Sequence, residues 1–215
     1  GRPVGFEVEV KSTTGRTVST ARDVGMEHIR KWRRKLFVIG FYSRDARRPE
    51  LQRALCLTPV DMEPWIASVE DRIAIDHKIA QRAARKLELE DLFDVCGRRD
   101  SYSLEDAKRL HKQQWTAGEY AASVDTTVGS ERRISQRQML EILRLRSRYI
   151  AERGATLNNP HITKAHLDRF AGSAREVAAP NWAMAVRGIA AAFVREFPGH
   201  PAIIRGTDDG RAPGD

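Results

Sequence analysis

From Phe6 to Lys11 the chain alternates apolar and polar residues, Phe-Glu-Val-Glu-Val-Lys. That is the period of a β-strand with one buried face. Successive side chains on a strand point to opposite faces. The pattern therefore predicts Phe6, Val8 and Val10 in a core, with Glu7, Glu9 and Lys11 in a row on the other face, about 7 Å apart at each step of two. A Ser/Thr/Gly turn follows at Ser12 to Gly15. Thr17 to Lys35 reads as a helix, because Ala21, Val24, Met26, Ile29 and Trp32 recur at spacings near three and four. Ser19 or Thr20 is its expected cap, and Gly25 a weak point within it. Leu36 to Tyr42 is a continuous apolar run and reads as a buried strand. A further strand is expected over Ala54 to Thr58, ended by Pro59.

Helical spacing dominates the rest. Ile66, Val69, Ile73, Ile75, Ile79, Ala80, Ala83 and Leu87 predict a long helix from Asp61 to about residue 90. Residues 91–101 read as a break. Ser103, followed by Glu105 and Asp106, opens a helix running to Trp115, and residues 116–134 read as a loop. Ser135 starts a helix with Met139, Ile142, Leu143, Leu145, Tyr149 and Ile150 as its apolar stripe, and Gly154 ends it. After a turn at Asn158-Asn159-Pro160, Ile162 to Phe170 predicts another helix. Ala174 to Phe197 predicts a last helical region, split or started by Pro180, with Trp182, Met184, Val186, Ile189, Phe193 and Val194 as core. The expected class is α/β and helix-rich: a small mixed sheet flanked by helices, then a helical C-terminal region. The expected division is 1–95, 96–205 and a disordered tail at 206–215.

Charge sharpens this picture. The 215 residues carry a net charge of +8, and residues 1–60 hold thirteen Lys/Arg against six Asp/Glu. A cationic excess around the first strand suggests a polyanionic partner; a solvated basic face is the plainer reading. Arg30-Lys31-Trp32-Arg33-Arg34-Lys35 is its densest part. Such cations suit a helix C-terminus and can equally contact phosphates. Arg144 and Arg148 lie off the apolar stripe of the Ser135 helix, where they read either as a solvated face or as groove-contacting groups. The two cysteines, Cys56 and Cys96, have no metal-ligand spacing and read as free thiols in a reducing, cytoplasmic setting. No run of 18 apolar residues is present, so no membrane partner is expected.

The Glu7, Glu9, Lys11 row is the candidate chemistry. Two carboxylates can hold a divalent cation, and a lysine beside them can balance a phosphate or activate water. Glu9-Val10-Lys11, after an apolar strand and before a Ser/Thr/Gly turn, resembles the E-x-K half of the PD-(D/E)xK nuclease motif, found in type II restriction endonucleases. The strand, helix, strand order that follows is similar to that family's core. The resemblance covers roughly residues 5 to 45.

That resemblance implies a restriction-endonuclease-like sheet and a metal-dependent endonuclease acting on double-stranded DNA as a two-fold homodimer. It implies Mg²⁺, with Mn²⁺ as a substitute, held by Glu9, a second carboxylate and the Val10 carbonyl. Lys11 would orient or deprotonate the attacking water. The family's first acid lies upstream of E-x-K, whereas only four residues precede Gly5 and none is acidic. The expectation is a fragment or processed chain, unless Glu7 or Glu27 supplies that acid. Arg16, Lys31, Arg33, Arg34, Arg44, Arg144 and Arg148 are the expected DNA contacts. The alternative function is a nucleic-acid-binding domain without catalysis.

Overall fold

A computed structural model describes residues 4–45, 47–82, 85–110, 133–154, 156, 157 and 159–206. The expectations for Ala83, for Trp115 and the 116–132 loop, for Asn158 and for the tail beyond 206 lie outside these residues. The fold is mixed α/β, divided into two compact units. Unit 1 is residues 1–69 with 158–215, and unit 2 is residues 70–157. The units therefore part at other positions than the 1–95 and 96–205 division, and the first of these positions runs through a helix.

Unit 1 is built on a four-stranded sheet of β2 (Glu7–Thr13), β4 (Lys35–Tyr42), β5 (Leu51–Leu57) and β9 (Glu176–Ala178), in that order. β4 is parallel to β2 and antiparallel to β5. Parallel neighbours need a crossover, and α1 (Met26–Trp32) lies within it. β4 is central, and its Leu36 to Phe41 run is buried throughout, as an all-apolar strand requires. On one face of the sheet, Val38, Cys56 and Val177 pack against Ile189 of α7 (Trp182–Glu196). Helix α2 (Pro59–Ala80) begins in unit 1, where Trp65 lies 5.1 Å from Trp32 of α1 and its indole N–H donates to the His161 carbonyl at 3.0 Å.

Five expectations for unit 1 are corrected. Only Met26–Trp32 of the Thr17 to Lys35 segment is helical. Its first half forms β3 (Val18–Ser19), which pairs with β8 (His161–Ile162), and the Thr20 hydroxyl donates to the Pro160 carbonyl at 2.6 Å. Gly25 is the extended N-cap of α1 rather than an interior weak point. Val8 and Val10 are not core: they are 44% and 69% exposed. The cover from α7 falls on β4, β5 and β9, and Phe6 reaches it by an edge-to-face contact with Phe193, but the valines do not. Trp182 and Met184 are also exposed, because Ala185, Val186, Ile189 and Phe193 form the packed stripe of α7. Helix α6 (Lys164–Asp168), capped by the Thr163 hydroxyl, replaces the longer helix expected there. Strand β1 (Val4–Gly5) pairs with β10 (Ile204–Arg205).

Unit 2 holds the end of α2, α3 (Leu89–Cys96), α4 (Leu104–Leu110) and α5 (Gln136–Arg153), with a two-stranded pair of β6 (Ser101–Tyr102) and β7 (Ile134–Ser135). Helix α3 occupies most of the expected break at 91–101. α5 begins and ends where its sequence predicts. The Ser135 hydroxyl accepts from the Gln138 N–H at 3.2 Å, the Gln138 amide oxygen accepts from the Ser135 N–H at 3.0 Å, and Gly154 ends the helix at φ +79°. Ile75, Ile79, Leu92, Tyr102, Leu110, Met139 and Leu143 form one core. The cysteines are free, and burial pushes both thiols up to about 11, so neither is reactive near neutrality. Among the described residues no helix is long and apolar enough to cross a membrane.

Asp76 and Arg146 form a two-pronged ion pair inside unit 2, with side chains only 4% and 5% exposed. A buried pair of this kind adds little over an apolar pair but is costly to break from one side. Asp76→Ala leaves the Arg146 guanidinium without its carboxylate and should destabilise the protein by about 3–5 kcal/mol. Asp76→Leu with Arg146→Met should recover most of that loss. Equilibrium urea unfolding of the two variants checks both outcomes.

Candidate functional site: the charged row on the end strand

The row predicted by alternation is present, but on the less exposed face of β2. Residues aligned in the β2–β4 ladder share a face, and the register sets Glu7 beside Lys35, Glu9 beside Phe37 and Lys11 beside Ile39. Phe37 and Ile39 are fully buried; on the other face Val8 and Val10 lie beside Leu36 and Val38, which are also buried, yet the valines themselves are exposed. Glu9 and Lys11 have side chains 20% and 22% exposed, whereas Glu7 is 61% exposed.

Glu9 sits between two ammonium groups. Lys11 Nζ lies 2.8 Å from its Oε1, and Lys35 Nζ lies 3.1 Å from its Oε2. Lys35 also reaches Glu7, at 3.8 Å. Burial favours the neutral acid, but hydrogen bonds and charge from Lys11 and Lys35 outweigh it and hold the Glu9 carboxyl below the ordinary glutamate value. The sequence pattern places Lys35 only in the cationic end of a helix. Its membership of the site follows from the parallel register, which no local pattern carries.

The other residues of the expected site are placed less uniformly. Glu27 is exposed on α1 and pairs with Lys31 at 2.7 Å, one helical turn on. That hydrogen bond, with the Lys31 charge, lowers the Glu27 pKa. The Lys31 pKa is raised chiefly by Glu27, with a further contribution from Glu7, so this end of α1 lies within electrostatic reach of the row. Arg33 directs three hydrogen bonds to the Glu63 carboxylate at 2.8 to 3.1 Å, joining the C-terminal end of α1 to α2. Arg16, Arg34 and Arg44 are exposed and carry no ion pair among the described residues, as do Arg30 and Arg22. Arg144 and Arg148 belong to unit 2. Arg144 is engaged by the Leu87 carbonyl at 2.6 Å and by Glu141 at 2.6 Å, while Arg148 is exposed.

A divalent cation needs several oxygen donors converging on one point. Among the described residues no three Asp, Glu, His or Cys side chains are grouped to hold one. Glu9 is already neutralised by two lysines and Glu27 by a third. What the row does bring together is Glu9, Lys11 and Lys35. They make a carboxylate-organised pair of ammonium groups, which suits a phosphate: its oxygens can take over the charge that Glu9 now balances.

Elsewhere in unit 1, His166 is 6% exposed and its Nε2 has no hydrogen-bond partner. Burial, assisted by Arg169, lowers its pKa and keeps the ring neutral.

No family model matches this chain, and no curated protein or solved structure matches it either.

The lowered Glu9 pKa has a definite sign. A carboxyl depressed in the folded state stabilises the protein above the pKa it has when unfolded, and that stabilisation fades as pH falls through the folded value. Carbon-detected NMR titration should place Glu9 below the ordinary glutamate range, and Lys35→Met should move it upward. The stability difference between wild type and Glu9→Gln should shrink on acidification through the same window.

Proposed function

We propose that unit 1 is a DNA-directed phosphodiesterase module of the restriction-endonuclease kind, with the Glu9, Lys11, Lys35 row facing the scissile phosphate. One observation carries the reading. Each oxygen of the Glu9 carboxylate has an ammonium group within 3.1 Å, on the first strand of a parallel strand, helix, strand unit. Local sequence alone resembles E-x-K; the register adds a second lysine to it. Two ammonium groups held by one carboxylate present their positive charge in a fixed place, which is how preorganised groups favour the charge that develops on a phosphate under attack. Glu9 keeps both lysines oriented. Lys11 is the group assigned to the attacking water or to the phosphate oxygen, and Lys35 balances the remaining charge.

The exposed arginines Arg16, Arg30, Arg34 and Arg44 are the phosphate contacts in this reading, since they are cations of unit 1 with no ion pair among the described residues. Arg33 has a different role, locking α1 to α2 through Glu63. Lys31 is shared with Glu27. Mg²⁺ dependence and action on double-stranded DNA belong to this proposal, with any carboxylates beyond Glu9 and Glu7 contributed from outside the row.

A second reading has a specific observation in its favour. Because Glu9 is already neutralised and no donor cluster surrounds it among the described residues, the same row serves a nucleic-acid-binding domain that does not cut.

Incubating supercoiled plasmid with the protein and Mg²⁺ separates the two readings. The first requires nicking or linearisation, abolished by EDTA and lowered by Lys11→Ala on the order of 10²–10⁴-fold, with DNA affinity nearly unchanged. The second requires salt-sensitive binding with no cleavage. In either case Arg30→Ala with Arg34→Ala should weaken binding to all sequences alike and flatten the salt dependence by about 0.9 in log–log slope for each phosphate no longer neutralised. Equal loss of cutting and binding in Lys11→Ala would mark that lysine as structural and overturn the first reading.

A further inference from the structure

β2 is the last strand of its sheet, and among the described residues no strand pairs with its outer edge. An end strand presents a row of free backbone donors and acceptors, a template for another strand. Beside that edge Val8 and Val10 are 44% and 69% exposed, on the face that α7 packs against but beyond the strands it covers. An open edge with alternate apolar side chains is what strand addition uses.

Charges on an end strand commonly repel a second copy. Those on β2 do the reverse in one register. When two copies of Glu7–Thr13 are set antiparallel about Val10, Glu9 of each faces Lys11 of the other. Val10 then faces Val10, Val8 faces Ser12, and Glu7 faces Thr13, so all seven residues of the strand are used. Moving the axis one residue sets Glu9 on Glu9 or Lys11 on Lys11. A parallel in-register pairing sets every charge on its like. Opposite charges directly across an antiparallel pair stabilise it, and like charges destabilise it.

We infer that β2 is a homodimer interface, in which two copies pair their β2 strands antiparallel about Val10 and merge their four-stranded sheets into one of eight strands. The occupant of the edge is a second copy of this chain, chosen by that charge complementarity and by the symmetry of the strand about Val10. The valines of both copies come together on one face, and the Glu/Lys pairs cross on the other. This inference does not depend on the catalytic reading.

Sedimentation velocity over a wide range of protein concentration tests it. Wild type should sediment at twice the chain mass. Val10→Lys sets two ammonium groups against each other at the axis and should weaken the dimer by about tenfold or more, with an unchanged circular dichroism spectrum because the position is exposed. Glu9→Lys and Lys11→Glu should each be monomeric. An equimolar mixture of these two should form a heterodimer, since a strand with lysines at 9 and 11 then faces one with glutamates at both. A wild-type monomer at every concentration, a dimer that Val10→Lys leaves intact, or a mixture of the two charge variants that stays monomeric despite native spectra would each overturn the inference. Should either charge variant fail to fold, Val10→Lys decides alone.

Discussion

The parallel alignment of β2 with β4 is the constraint on which the rest of unit 1 turns. It sets Glu7 beside Lys35, Glu9 beside Phe37 and Val10 beside Val38, and so puts the three charges on one face with Lys35 and the valines on the other. Had the register slipped by one residue, every β2 side chain would have changed faces. Glu9 would then have been turned to the face away from Lys35. The observed register leaves two valines exposed. It also gives a half-buried carboxylate two ammonium partners, so that its charge is retained despite burial.

The cations of unit 1 sort by what they touch. Arg33, Arg53 and Arg175 are bound to Glu63, Glu176 and Asp61, and these pairs tie α1 to α2, β5 to β9, and the segment before β9 to the start of α2. They hold the scaffold. Lys11 and Lys35 are organised by Glu9 at the end of the sheet. Arg16, Arg30, Arg34 and Arg44 are exposed and carry no such pairs among the described residues. A net charge alone does not distinguish these three groups, although each cation contributes equally to it. Only the last two groups have charge to offer a polyanion, and exposed pairs are in any case worth little to stability.

Unit 2 follows a different logic. Its helices bury an apolar core from α2 to α5, and its one deeply buried ion pair, Asp76 with Arg146 among the described residues, joins α2 to α5. The exposed side of α5 carries Arg148, but Arg144 is engaged in capping the Leu87 carbonyl and in pairing with Glu141. α5 and α6, which lie on either side of a short turn in the sequence, belong to different compact units.

Local physics was legible in the chain itself. The run Leu36 to Tyr42 reads as a buried strand, and Leu36 to Phe41 is buried throughout. Ser135 with Gln138 and the terminal Gly154 bounded α5 to within a residue. The alternation at Glu7 to Lys11 established that the three charges share a face, because period two is a property of the backbone. Whether the valines would be covered was not a local property. It was decided by α7, more than 170 residues away, which packs on their side of the sheet but over Val38, Cys56 and Val177. In the same way Thr17 to Gly25 had helical spacing, yet Val18 and Ser19 pair with Ile162 and His161, and a contact across some 140 residues outweighs a short amphipathic pattern. Lys35 joined Glu9 through strand pairing, and β2 has an open edge because, among the described residues, the sheet ends there. These are facts of which element lies beside which, and hydrophobic period, which constrains each element singly, carries no information about its neighbours.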